Sequence, residues 1–214
     1  MTIRGGTGIS ALEFLPARLS ITSMRQAVQG CRGCPLFRSA TQAVFGEGPR
    51  AARVILVGEQ PGNDEDLAGH PFVGPAGRVL DEAMEEAGLD RKETYVTNVV
   101  KHFKWEAKGK RRMHKKPGAR EISACLPWLE KEIELIRPRV LVCLGATAAQ
   151  ALLGKDFKVT AHRGEVLESA LAEHALATIH PSSVLRQRTP ADRRREREGL
   201  ARDLAVAARL LKAK

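Results

Sequence analysis

Apolar and polar positions along the chain follow two periods, and the way these alternate sets the expected fold. Residues 54–57 are an unbroken apolar run ending at Gly58, the pattern of a strand buried on both faces of a parallel sheet. Residues 94–100 form a β-branched run, 140–144 a second apolar run stopped by Gly145, and 174–179 a last one. Helical spacing lies between them. Over 78–87, Val79, Leu80, Ala83, Met84 and Ala87 share one face, and Gly88 suits the position just past a helix end. Over 119–136, Ile122, Cys125, Leu126, Leu129, Ile133 and Ile136 do the same; Pro127 should kink that helix or divide it. A shorter helix, 146–153, is ended by Gly154. In the last helix Thr189 is the cap, Pro190 the first position, Asp192 completes a capping box, and Leu200, Leu204, Ala207, Ala208 and Leu211 face the core.

The segments between are less regular. Ser23 with Gln26 has the capping pattern for a short helix before Cys31. The stretch GEQPGNDEDLAGHPFVGPAG is too rich in Gly and Pro for regular structure, and residues 157–168 suit a hairpin around Arg163-Gly164. Strands alternating with helices predict a three-layer α/β/α fold with a central, mostly parallel four-stranded sheet. It forms one domain over 21–214, behind a loosely attached extension, 1–20. Ligands of such sheets bind beyond the carboxyl ends of the strands. That edge carries GEQPG, Asn98, the loop after Asn98, Gly145 and His180.

Composition narrows the class. Of 214 residues, 43% are hydrophobic, enough for one sizeable core, while aromatics at 4% leave that core to aliphatic side chains. A net charge of +10 points to a polyanion partner. No apolar run approaches the ~20 residues of a membrane span. The first residues lack both a long apolar stretch and a small-residue cleavage site, so no signal peptide is expected. The chain is expected in the cytoplasm, associated with the nucleoid and monomeric.

Four cysteines leave several chemistries open. Cys31 and Cys34 form a CxxC, with Cys125 on a helix and Cys143 in a buried strand. Disulfides do not suit the cytosol. A redox pair would follow a strand, and this one precedes the first. A site using all four thiolates would hold zinc or an iron–sulfur cluster, and Cys125 and Cys143 also suit a core as small apolar residues.

Residues 108–118, KGKRRMHKKPG, place six cations around His114. Cations alone would clamp a polyanion. They also oppose further positive charge on the ring and favour neutral imidazole, a usable nucleophile.

In their order along the chain, GEQPG with the acidic residues after it, HPFVGPAG, TNVVKH, PRVLVCLGATAAQALL and HPSSVLR resemble the iron–sulfur branch of the uracil-DNA glycosylase superfamily. KRRMH resembles the insertion of its X-type, covalently uracil-DNA-binding members, with Met113 in place of an isoleucine of similar size, so that loop anchoring should survive. The resemblance implies a [4Fe–4S] cluster on Cys31, Cys34, Cys125 and Cys143. It implies uracil-containing DNA, single- or double-stranded, as partner and free uracil as product. It places Gly58, Gln60, Asn63, Asp66, Phe72 and Asn98 against the flipped uracil. Asn63 stands where relatives often carry Asp. Phe72 would stack on the base and Asn98 would read its edge, since a carboxamide can accept from N3–H and donate to O4. His180 would hold the departing uracil anion, Glu59 would assist the attack on the sugar, and His114 would make that attack. Lys110, Arg111, Arg112, Ser182, Ser183 and Arg186 would contact the DNA backbone. The alternatives are a turnover glycosylase in which water attacks and the basic loop only clamps, and a cluster-containing binder without chemistry.

Overall fold

The computed structural model describes residues 10–212. Its core is a four-stranded parallel sheet of β1 (Val54–Gly58), β2 (Thr94–Asn98), β5 (Val140–Leu144) and β6 (His174–Thr178), in the order β2-β1-β5-β6. Between β2 and β5 in sequence lies a separate antiparallel hairpin, β3 (Trp105–Lys108) and β4 (Arg111–His114). The helices are α1 (Ile21–Ala27), α2 (Asn63–Ala68), α3 (Pro75–Ala87), α4 (Ala119–Ile136), α5 (Ala146–Leu152), α6 (Val159–His162), α7 (Ser182–Leu185) and α8 (Pro190–Lys212).

The apolar runs become strands because they can be buried on both faces. Ile55 and Val57 of β1, with Leu141 and Cys143 of β5, pack into one layer with Met24, Trp128, Leu129 and Ala148. Val54 and Leu56, with Val142 and Leu144, pack into the other with Leu80, Met84, Leu200 and Leu204. The predicted three-layer α/β/α architecture is the one observed.

Local details differ. α1 starts three residues earlier than expected. Ser20 is its cap, and Ser23 returns a hydrogen bond to the Ser20 backbone. The Gly/Pro-rich stretch contains α2 and the first turn of α3, which Pro75 can open because a first-turn residue needs no intrahelical N–H partner. α4 runs through Pro127 as one helix. Residues 157–168 do not pair with each other; Arg163 and Leu167 each bridge to β6 instead. Of the extension, 1–9 lie outside the described residues, but Ala11 is buried and packs in the core with Met24 and Cys31, so the segment is attached from there on. No described helix is long and apolar enough to cross a membrane.

β5 joins β1 on the side opposite β2, so the chain reverses direction across the sheet between β1 and β5. The carboxyl ends of those two strands splay the following loops apart and open a crevice. One buried ion pair braces this end of the sheet. Lys101 bonds Glu132 of α4, and Tyr95 and Thr97 of β2 donate to the same carboxylate. Its neighbours satisfy both charges, and removing either partner would cost about 3–5 kcal/mol.

Candidate functional site

The crevice holds a pocket lined by Glu59, Gln60, His114, Lys116, Leu144, Gly145, Ala146, Thr147, His180, Ser182 and Arg186. These come from the ends of β1, β5 and β6 and from the hairpin, as the edge-of-sheet argument predicts.

The sheet-end wall is tightly fitted. Gly58 ends β1 opposite Asn98, the last residue of β2. A Cβ at Gly58 would stand 2.4 Å from Asn98 Oδ1 and 2.6 Å from Phe72 Cζ, so glycine is what lets these two side chains meet. Asn98 Oδ1 is buried with no hydrogen-bond partner among the described residues, an acceptor facing a missing donor. Phe72 has φ +56°, which a bulky residue adopts only when its surroundings hold it there. Its ring stacks on that of His180, 6.1 Å between centroids.

His180 follows β6. Its Nδ1 accepts the backbone N–H of Ser182 at 3.2 Å and lies 2.8 Å from the Ser182 hydroxyl. A backbone N–H can only donate, so the ring hydrogen sits on Nε2. Burial, reinforced by the positive charges of Arg186 and His114, pushes its pKa down to about 4. His180 is therefore a neutral N–H donor.

The opposite wall is the hairpin. Instead of an irregular basic loop, residues 105–114 form two paired strands around Gly109-Lys110, with Gly109 at φ +59° as such a tight turn demands. Sequence pattern missed it because neither strand has a buried face; almost every position is exposed. What holds it down is polar. Arg112 reaches back 46 residues, bonding Asp66 at 2.6 Å, Asn63 at 2.8 Å and Thr41 at 3.2 Å, and its guanidinium covers Phe103 and Trp105. Met113, the residue expected to anchor the loop, is 43% exposed.

This gives three residues different surroundings from those expected. Asp66 is fully buried, between the Thr41 backbone N–H and Arg112. It and Asn63 are bonded by the hairpin's Arg112; like Gly58, Phe72 and Asn98 they stand behind the residues that line the pocket itself. Arg112 bonds the protein through Nε and Nη1, and its Nη2 is buried without a hydrogen-bond partner among the described residues, whereas Lys110 and Arg111 are exposed. Ser182 is shared between His180 and Arg186, and the Ser183 hydroxyl points to Glu196 at 3.4 Å.

The hairpin delivers His114 to the pocket. Its Nε2 is 2.9 Å from Gln60 Nε2 and 3.6 Å from a Glu59 oxygen, and half of its side chain is exposed. The other Glu59 oxygen accepts the hydroxyl of Thr147, in the first turn of α5. Thr147 had no assigned task in the sequence; its only signal was a polar side chain just beyond the glycine that ends an apolar strand.

The four cysteines lie at one layer of the core. Charge on Cys31 and Cys34 reaches Cys125, and that on Cys31 reaches Cys34. Cys31 accepts the indole N–H of Trp128 at 3.3 Å and Cys125 the backbone N–H of Lys101 at 3.2 Å. Cys143 lies inside β5, where burial raises its thiol to about 12. No set of three or more ligands close enough for a metal ion occurs among the described residues. Cys31, Cys125 and Cys143 all belong to one buried layer, with Cys34 packed against it.

Comparison with known proteins gives the following. Residues 45–205 match the model of the uracil DNA glycosylase superfamily. The type-4 uracil-DNA glycosylase of Thermotoga maritima is 38% identical over 165 residues, covering 77% of this chain and 82% of that protein. The type-4 enzyme of Pyrobaculum aerophilum is 34% identical over 178 residues (79% and 86%). The type-5 uracil-DNA glycosylase of Thermus thermophilus is 30% identical over 193 residues (73% and 84%).

Proposed function

This chain belongs to the uracil DNA glycosylase superfamily, and from that premise we propose that it excises uracil from DNA and remains joined to the abasic sugar through His114. The observation that carries the second half is the place of His114. Its Nε2 shares one pocket with His180 and lies 3.6 Å from the Glu59 carboxylate.

A base in a duplex must leave the stack before its glycosidic bond can be reached. Asn98 Oδ1 supplies the acceptor that uracil N3–H requires, and Phe72 the apolar face beside it. The neutral His180 donates from Nε2 to the oxygen on which the leaving uracil gathers negative charge. As the C1′–N1 bond breaks, its electron pair departs with uracil, and the His114 lone pair forms the new C–N bond. The imidazole becomes positively charged and loses its remaining N–H proton to solvent. Glu59, fixed by Thr147, stabilises the positive charge that builds on the sugar and then on the ring. A residue that stays bonded gives one turnover.

The second reading is water attack with turnover, with Glu59 placing the water. It is favoured by the likeness to type-4 uracil-DNA glycosylases. A denaturing gel of the protein with a uracil-containing oligonucleotide decides. Covalent linkage gives a shifted band that survives heat and detergent, and His114→Ala abolishes it completely. Abasic product without a shifted band establishes turnover. A shifted band persisting in His114→Ala would remove this histidine from the reaction.

A further inference from the structure

The amide of Gln60 can face only one way. Its Oε1 accepts the backbone N–H of Lys104 at 3.0 Å, and its Nε2 donates to the carbonyl of Lys115 at 2.9 Å. A main-chain N–H only donates and a carbonyl only accepts, so turning the amide over would make both contacts repulsive. The second Nε2 hydrogen then has two acceptors in reach, His114 Nε2 at 2.9 Å and the Lys104 carbonyl at 3.3 Å. An amide nitrogen with its hydrogens is no acceptor. The 2.9 Å contact is therefore a hydrogen bond into a bare His114 Nε2.

We propose that Gln60 is the positioning residue that sets the tautomer of His114, keeping the lone pair on Nε2 and the hydrogen on Nδ1. The inference rests on His114 as the attacking group and says which nitrogen attacks. An Nε2 carrying a hydrogen has no lone pair in the ring plane to offer. Nδ1–H is then the proton lost after the bond to C1′ forms. Sequence reasoning expected Gln60 to touch the base; the structure has it touching the nucleophile.

One neighbour pulls the other way. Glu59 Oε1, 3.6 Å from the same nitrogen, would favour a hydrogen there. At that distance no hydrogen bond forms, whereas 2.9 Å is near the ideal. The other groups facing the ring are Lys116 just past the hairpin, His180 after β6, Arg186 at the end of α7, and the Phe103 ring, 6.0 Å away. Gln60 is the neighbour within hydrogen-bond reach of Nε2, so it makes the choice between the two neutral tautomers.

The test reads the tautomer in the free protein. Two-bond ¹H–¹⁵N correlation spectra of histidine-labelled protein at neutral pH distinguish Nδ1–H from Nε2–H, with His114→Ala assigning the resonance. The expected result is Nδ1–H in the wild type and loss of that pattern in Gln60→Glu, whose carboxylate accepts from Nε2–H. In the same variant, adduct formation should shift to higher pH. Should Gln60→Glu not fold, Gln60→Met keeps the shape without the donor and should give a mixture of tautomers. A wild-type ring protonated at Nε2, or an unchanged Nδ1–H pattern in the folded variants, overturns the inference. The two proposals fail separately. An Nδ1–H ring without an adduct on the gel refutes covalent attack and keeps the tautomer, whereas an adduct formed from an Nε2–H ring does the reverse.

Discussion

The two walls of the pocket are built on different physics. The sheet-end wall shows His180 to the pocket, with Phe72 stacked on it and Gly58 and Asn98 behind; it rests on strands buried on both faces, and a single added methyl group at Gly58 would collide with Asn98 and Phe72. The hairpin wall has almost no buried surface and is held by the Arg112 guanidinium and the Gln60 amide. The first wall suits recognition, which needs fixed donors and acceptors. In the proposed reaction the second carries the group that moves toward the sugar, and a light polar tether allows it to. In the proposed reaction the two walls hold their histidines in opposite tautomers: the Ser182 N–H leaves the hydrogen on Nε2 of His180, and the Gln60 amide removes it from Nε2 of His114.

If the walls divide the work in this way, damage to each should have its own signature. The largest effect after loss of His114 itself is expected from Gly58→Ala. Displacing Asn98 and Phe72 should lower uracil excision about 100-fold, the usual penalty for misplacing a reacting group. Rates within a few-fold of wild type would mean that this contact does not read the base. Next comes Arg112→Met, which strands the Asp66 carboxylate in a buried site. We expect a loss of about 3 kcal/mol in urea unfolding and slower adduct formation. Binding of uracil-containing DNA should weaken less than adduct formation slows. Equal losses in both would deny the separation of the walls.

His180 supplies a pH signature for the rigid wall. Its pKa falls from the ordinary 6.5 to about 4 in the folded protein, so between those values the unfolded chain binds the extra proton. Stability contributed by the neutral ring is then complete above about pH 6.5 and is lost as pH falls toward 4, amounting to about 3 kcal/mol at most. His102, also buried and lowered to about 4, adds in the same direction. His180→Gln should therefore flatten part of the slope of unfolding free energy against pH, and a slope equal to wild type would place that ring in solvent. The smallest effect belongs to the exposed tip of the hairpin. Replacing Lys110 and Arg111 with serine should reduce the slope of log affinity against log salt by about one unit each; an unchanged slope would take the tip off the DNA.

The strands were legible in the sequence because an apolar run bounded by glycine is a local signal, and the strand ends marked where chemistry gathers. Gly58, Asn98 and His180 could be placed on that edge from position alone. Asp66 and Asn63 could not. Both lie in a motif that points to the base, and only folding brings Arg112, 46 residues away, onto them. Cys143 is the converse case. As one of four cysteines it invited a place in a cluster, and its register between Val57 and Ala177 puts it in the central sheet, in the same buried layer as Cys31 and Cys125.

By itself the sequence determined the layers, the order of strands and helices and the kinds of side chain at the sheet edge, since hydrophobic period and glycine stops act over a few residues. Tertiary structure alone decided the anchoring of the hairpin, the grip of Arg112 and the contact between Gln60 and His114. These depend on hydrogen bonds between segments some 45 to 70 residues apart, and no local pattern records where a donor will find its acceptor once the chain has folded.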